Sequence, residues 1–366
     1  AGVYIWTDSE LGIDTGTYRL SFTGTAQLSF ALGVSSRNVT YDQASNTTRV
    51  EVIVPQGQKE LSIIFRQTNG GVRNVRLIRP GFPADNPPVF HPQFLKALEP
   101  FSTIRFMDML ETNLNYRVGG ESKAVIEWAD HRPSGYATQA SLENSTCPYW
   151  GVSFELIAQL CNTTGKDAWI NIPVKASNDY VKKIAENLKA NLNPGIRVYF
   201  EYGNELWNSY GFPFSKAYTI NQAASEAEVA QYNYNYDNCN NRYYYGIRRY
   251  ARKMKEFSDI FRGVWGDGAM FTRIRPVLAW QEDPYGQRNM CNYVKAQYGQ
   301  PSSYFWGIAG APYMHNTAST GSVDACLAGL RAANDGEIRE KNGRMVACGK
   351  EFGLVPTVYE GGPHLW

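Results

Sequence analysis

The chain has 366 residues, a formal net charge of +2 and 43% hydrophobic residues, enough for one large domain or a large one with a smaller companion. The near-balanced charge gives no reason to expect nucleic acid or a membrane surface as partner. No run of about 18 apolar residues exists to span a bilayer.

No leader peptide is visible, and Ala1 reads as a mature or trimmed end. Residues 1 to about 70 alternate apolar and polar positions without a helical period, in runs at 18–22, 27–30, 49–54 and 61–65 divided by Gly, Asn and Ser clusters. That pattern predicts a small antiparallel module of sandwich type over residues 1–71. Modules of this kind often bind glycans, but no aromatic stripe marks a binding face, so a packing or spacer role is expected.

From residue 72 to 366 the rhythm becomes strand, helix, strand. Residues 72–78 read as a first strand ending at Pro80-Gly81, 92–101 as a short helix with Pro at its start, and 103–109 as a second strand. A long polar loop with Trp128, His131, Arg132 and Tyr136 follows, and loops of that length tend to face ligands. Residues 154–160 are helical, 168–174 form strand three and 180–192 an amphipathic helix. The stretch RVYFEYGNELWN, residues 197–208, is strand four and its exit. After a Tyr- and Asn-rich excursion come a helix from about 243 to 265, strand five at 274–281, a helix at 292–298 and strand six at 305–313. A helical region at 324–349 leads to strand seven, residues 354–360. Strands alternating with helices predict an α/β fold, a (β/α)8 TIM-type barrel with all strand C-termini at one mouth.

Two strands end in glutamate, Glu205 on strand four and Glu360 on strand seven. Retaining cleavage of a glycosidic bond needs two carboxyls about 5–5.5 Å apart, one ionised to attack the anomeric carbon and one protonated to release the leaving oxygen. The two glutamates are therefore expected to face each other at roughly 5–6 Å. Arg105 beside Glu360 would hold it anionic, and the carboxamide of Asn204 could bind a sugar hydroxyl. Glu201, deeper on the same barrel face as Glu205, is expected to be structural and paired with Arg105 or Arg275. Trp207, Trp280, Trp128 and Tyr313 are candidate sugar platforms, while His315 and His364 stand near strand ends that could line the mouth.

The four histidines show no ligand spacing, no C-x-x-C pair is present, and neither a metal nor a cofactor is implied. The six cysteines, Cys147, Cys161, Cys239, Cys291, Cys326 and Cys348, fit three disulfides. Cys147 with Cys161 and Cys326 with Cys348 are the pairs nearest in sequence. Sequons stand at Asn38, Asn46, Asn144 and Asn162. Together these features suggest an extracellular glycoprotein.

Residues 72–366 resemble the retaining glycoside hydrolases of the (β/α)8 superfamily called clan A, in particular a poorly characterised group of secreted clan-A-like proteins. The matching segments are Arg105-Phe106-Met107-Asp108, Trp169-Ile170-Asn171-Ile172-Pro173, Glu201-Tyr202-Gly203-Asn204-Glu205-Leu206-Trp207-Asn208 and Tyr359-Glu360-Gly361-Gly362-Pro363-His364-Leu365. The resemblance implies Glu205 as acid/base, Glu360 as nucleophile, Arg105 beneath the nucleophile and Tyr313 touching it. Clan members often carry His after strand three, where Pro173-Val174-Lys175 stands here. No eighth strand is evident before Trp366, so its place is expected to be taken by a continuing chain, by self-association or by another chain completing the barrel. Two functions follow as expectations. One is a secreted, endo-acting hydrolase of a polysaccharide or oligosaccharide. The other is a non-catalytic glycan-binding or structural subunit of a fibre or wall that keeps the barrel as scaffold.

Overall fold

The computed structural model describes residues 2–6, 13–114, 117–118, 121–136, 138–139, 151–211, 214–281, 285–315 and 322–364. The chain divides into two compact units, Ala1–Ala97 and Leu98–Trp366.

The N-terminal unit is built from β1 (Gly2–Trp6), β2 (Gly16–Thr23), β3 (Gln27–Phe30), β4 (Ser35–Asp42), β5 (Thr47–Val54), β6 (Leu61–Arg66) and β7 (Arg73–Ile78). They form two antiparallel sheets, ordered β1-β6-β3 and β4-β5-β2-β7. Alternation decides which side chains turn inward. Tyr18, Leu20 and Phe22 of β2 and Val50, Val52 and Val54 of β5 meet Leu61, Ile63 and Phe65 of β6 in one core. The rings of Phe22 and Phe65 join the sheets edge to face at 5.3 Å. The expected antiparallel module is present, but its boundary is not at residue 71. Residues 72–78, read as the first barrel strand, pair antiparallel with β2 instead. Arg73, Asn74, Val75 and Arg76 are exposed, and a strand sandwiched between helices and a barrel interior could not leave them so.

α1 (Pro92–Leu98) carries the division between the units. Beyond it come β8 (Thr103–Arg105) and a short antiparallel ladder of β9 (Arg117–Val118) with β10 (Glu121–Ser122). The chain continues through α2 (Phe154–Thr164), β11 (Asp167–Ile172), α3 (Asn178–Asn191), β12 (Val198–Tyr202), α4 (Phe214–Ala227), α5 (Arg242–Trp265), β13 (Ile274–Ala279) and α6 (Gly286–Tyr298). It ends through β14 (Gly307–Gly310), β15 (Tyr313–His315), α7 (Val323–Ala333), a π-helical turn (Asn334–Ile338), α8 (Arg339–Phe352), β16 (Val355–Val358) and β17 (Gly362–His364). Six strands lie side by side and parallel in the order β8-β11-β12-β13-β14-β16, a half-barrel. These are strands two to seven of the sequence reading. Among the described residues the sheet does not close, and β8 and β16 are its edges.

The strands run parallel because both of their faces are covered. Every residue of β12 is buried, and so are Ala168 to Ile172 of β11. Phe200 stacks on Phe261 of α5 at 4.2 Å and Tyr202 meets Phe257, so α5 packs on the outer face. The inner face is lined by Trp169, Tyr199, Val277, Ala279, Ala309, Ala311 and Tyr359. Ser153 and Ser177 cap α2 and α3 by accepting from backbone amides one turn ahead. No helix among the described residues is long and apolar enough to cross a membrane.

The expected cysteine pairing is not formed. Cys161, Cys239, Cys291, Cys326 and Cys348 are free thiols, and Cys147 lies outside the described residues. Cys326 and Cys348 stand towards opposite ends of one continuous helical run through α7 and α8, so closeness in sequence separates them in space. The hydrogen-bonded neighbour of Cys348 is Cys291 of α6.

Candidate functional site

The site grows from the end of β12. Gly203 leaves the strand at φ 66°, and a Cβ there would sit 2.9 Å from the Leu206 side chain, so only glycine fits. Its amide donates to Ile172 O at 2.7 Å, tying the turn to β11. Glu205 is held at φ 47°, a left-handed conformation that costs a non-glycine residue about 1–3 kcal/mol. A hydrogen bond from Asn208 N to Glu205 O, 2.8 Å, closes the turn that keeps it there.

Arg105, the last residue of β8, is the hub. Its guanidinium meets Glu201 Oε1 at 2.7 Å, donates from Nη1 to Glu360 Oε2 at 2.9 Å and from Nη2 to Asn204 Oδ1 at 2.8 Å. It also lies over the Tyr359 ring, 5.0 Å from its centroid. Strand register makes this possible: Arg105 is level with Trp169, and Asn171 with Glu201, on one face of the sheet. Glu201 Oε1 accepts from Asn171 Nδ2 at 2.7 Å and Trp169 Nε1 at 3.1 Å as well as from Arg105, the pairing expected of it. Burial pushes the Glu201 carboxyl up, with Arg105 pulling the other way. Burial also works against the charge of Arg105, but Glu201 and Glu360 outweigh it and raise its pKa.

Glu205 and Glu360 are brought together, their carboxyls hydrogen-bonding each other. Burial first, then that hydrogen bond, pushes Glu205 up to about 8, against the opposing pull of an Asn208 donor at 3.1 Å and of Arg105. Glu205 is therefore a protonated acid at neutral pH. Tyr313 hydrogen-bonds Glu360, and burial together with that carboxylate keeps its phenol protonated, so Tyr313 is the donor. Two donors, Arg105 and Tyr313, thus converge on Glu360 while the carboxyl of Glu205 faces it. β15 and β17 pair beside the carboxyls through the backbones of Tyr313–His315 and Gly362–His364.

The other expected residues divide between the site and elsewhere. Asn204 is at the site but 2% exposed, its Oδ1 held by Arg105 and its Nδ2 donating to Asn113 Oδ1 at 3.1 Å, so it braces the turn. Trp280 is 1% exposed and packs edge-on against Tyr250 of α5 at 5.3 Å, which removes it as a sugar platform. Trp128 stacks on His131 at 3.8 Å and packs with Phe154 and Tyr180, in an aromatic cluster with residues of α2 and α3. Trp207 stays at the site, half-buried, its Nε1 donating to the Tyr359 hydroxyl at 3.3 Å. His315 lies on β15, and its side chain and that of His364 are outside the described ones.

Sequence reasoning missed Asn113, Asn208 and Tyr359 as members of the site. Asn208 follows Glu205 at the spacing of one turn and Tyr359 directly precedes Glu360, so both were adjacent to the motif residues; Asn113 carried no signal. Tyr210, 85% exposed in the same loop, was also passed over. Among the described residues no group of three or more His, Cys, Asp or Glu is placed to hold a metal ion. Comparison with models of known protein families and with curated proteins finds no match to this chain.

Proposed function

We propose that the protein is a retaining glycoside hydrolase acting on a polysaccharide, with Glu205 as acid/base and Glu360 as nucleophile, on a scaffold of (β/α)8 type. The observation that carries this reading is the direct hydrogen bond between the carboxyls of Glu205 and Glu360, with Glu360 held by Arg105 and Tyr313. Two carboxyls in direct contact also favour retention. Inverting chemistry holds a water between carboxyls about 6.5–9.5 Å apart, and there is no such gap here.

In the first step Glu360 attacks the anomeric carbon, the glycosidic C–O bond breaks, and the Glu205 proton passes to the leaving oxygen. In the second, the Glu205 carboxylate takes a proton from water as that water attacks the same carbon and releases Glu360. Trp207 and the exposed Tyr210 supply ring faces for the sugar beside these groups.

An extracellular location is part of the proposal. Asn46, exposed in the turn between β4 and β5, is the sequon best placed for a glycan. The amides of Asn38 and Asn162 are engaged by Glu51 Oε2 (3.0 Å) and by Asn191 O (2.8 Å), and Asn144 lies outside the described residues. In an oxidising compartment Cys291 and Cys348 would form a disulfide between α6 and α8, and a non-reducing peptide map should join them.

The decisive experiment is incubation with a panel of polysaccharides and measurement of new reducing ends, with Glu360→Ala in parallel. Release by the native protein and not by the variant is expected. No release from any polymer, or equal release by both, rejects the hydrolase and leaves a glycan-binding or structural scaffold.

A further inference from the structure

The four-stranded sheet of the N-terminal unit buries Tyr18, Leu20, Phe22, Val50 and Val52 on one face, which leaves the other turned outward. Alternation sets Arg19 and Ser21 of β2, Arg49 and Glu51 of β5 and Arg76 of β7 on that outer face. Register arranges them in rows. Arg49, Ser21 and Arg76 stand opposite one another across three neighbouring strands, and Glu51 stands opposite Arg19. With Asp85, from the segment after β7, these residues line an open cavity of about 340 Å³.

Arg19 stands diagonal to both Arg49 and Arg76 on the neighbouring strands, so three cations share one face and favour a counter-charge. Of the two carboxylates in the lining, Glu51 is engaged elsewhere, pairing with Arg37 at 2.7 Å and accepting from Asn38 at 3.0 Å, and Asp85 is the other. Arg19 donates to Phe82 O at 3.2 Å. Arg49 and Arg76, flanking Ser21, hold no hydrogen bond or ion pair among the described residues, Arg49 having only the longer-range attraction of Asp42. Two guanidinium groups either side of a hydroxyl make a fork for a carboxylate or sulfate, and Ser21 and Asp85 add partners for hydroxyls. The cavity has no aromatic lining. It therefore lacks the stacking platform that a neutral sugar chain or single-stranded nucleic acid uses.

We propose that this outer face is a binding site for an acidic sugar ring, a uronate or a sulfated residue within a polysaccharide. The choice of a sugar polymer rests on the proposed hydrolase; the anion site itself rests on the arginines. Binding here needs neither Glu205 nor Glu360, so the two readings fail separately.

The test is affinity electrophoresis of the full chain through gels holding polygalacturonate, a sulfated galactan, a neutral galactan or duplex DNA. Retardation by an acidic polysaccharide and not by the neutral one is expected, with polygalacturonate and the sulfated polymer separating carboxylate from sulfate recognition. Arg49→Glu with Arg76→Glu should weaken it by about tenfold or more, as befits lost charge-assisted bonds. Lys59→Glu with Arg66→Glu, the same charge change outside the cavity, should leave it unaltered. Arg76→Gln, a milder change on the edge strand β7, gives the same direction should the double reversal fail to fold. Retention by an acidic polymer without any release of reducing ends supports this site while rejecting the hydrolase. Absence of retardation by both acidic polymers overturns the site. So does equal retardation by DNA, or an equal loss in the control pair.

Discussion

Around α5, three arginines meet three acids: Arg248 pairs with Asp237 at 2.6 Å, Arg249 and Arg252 share Glu228 at 3.2 and 3.3 Å, and Arg252 reaches Glu256 at 3.0 Å. At the C-terminal end of the parallel sheet one arginine, Arg105, faces Glu201 and Glu360, with Glu205 against Glu360. Both clusters are rich in tyrosine and both are largely buried. In the first, Arg248 and Lys253 outweigh burial and hold Asp237 and Glu256 below the usual carboxylate range. In the second, burial and the hydrogen bond to Glu360 keep a proton on Glu205, and the single cation does not offset them. A set with at least one cation for every acid braces a fold. An unbalanced set stores an acid, which is what glycosidic cleavage needs.

The largest expected effects separate the two acids of the unbalanced set. Glu360→Ala should abolish hydrolysis of every substrate, a loss of about 10⁴-fold or more, since no other group forms the glycosyl intermediate. Glu205→Ala should lose about 10²–10⁴-fold on polysaccharide and far less on an aryl glycoside whose leaving group needs no proton. Azide then distinguishes the roles by product stereochemistry. In Glu205→Ala it attacks the glycosyl–enzyme, breaks the bond to Glu360 and gives a glycosyl azide of retained configuration. In Glu360→Ala it replaces the nucleophile and the product is inverted. The opposite pairing of variant and configuration would exchange the two assignments.

Next in size is the contrast between arginines. Arg105→Met strands Glu201, whose side chain is 3% exposed, and should cost about 3–5 kcal/mol of stability as well as activity. Arg248→Met leaves Asp237, 39% exposed, free to be hydrated. It should cost less, about 1–3 kcal/mol for the lost bonds to Asn289 and the Tyr234 carbonyl, with kcat/KM unchanged. Chemical denaturation and aryl-glycoside kinetics on the two variants check both halves. A kinetic defect in Arg248→Met equal to that of Arg105→Met would erase the distinction between the clusters.

That contrast also explains what could be seen from residues alone. Strand ends that carry Glu205 and Glu360 were legible because polar groups interrupt apolar β-branched runs there, and parallel topology collects such ends at one place; Arg105, inside the expected strand 103–109, was singled out through the resemblance. The strand over residues 73–78 was misplaced because its alternation fits a half-exposed strand as well as a barrel strand, and only pairing with β2 decides between them. Trp128 and Trp280 could not be told from cleft aromatics, since composition is blind to which face a ring takes. The cysteine partner of Cys348 depends on how α6 and α8 pack, a long-range contact with no local trace. The cluster on α5 was hidden for the same reason: its arginines read as helix, and their acids lie just past α4, in α5 itself and in the tyrosine-rich excursion.

The smallest effect is one of pH, and it tests the stored proton directly. The Glu205 carboxyl titrates at about 8 in the folded chain, well above an ordinary glutamate near 4.5. A raised pKa means the folded state holds the proton more tightly than the unfolded one, so this term stabilises below pH 4.5 and fades as pH rises through 8. Activity follows the same proton: kcat/KM on a polysaccharide should be flat up to about pH 7 and fall about tenfold per unit above 8. The melting temperature should instead decline between about pH 5 and 8 and level off above, because only between the unfolded and folded pKa values does the folded state hold the extra proton. Glu205→Gln, which carries a permanent amide hydrogen in place of the acid, should flatten that decline between about pH 5 and 8. It leaves no general acid, so the alkaline limb on a good aryl glycoside should vanish as well. A limb at the same pH in Glu205→Gln would put the titrating group elsewhere, with Glu201 the first suspect because burial raises it too. In that event the proton that offsets the single cation sits one layer deeper than the cleft, and the balance of charge would explain the fold without explaining the chemistry.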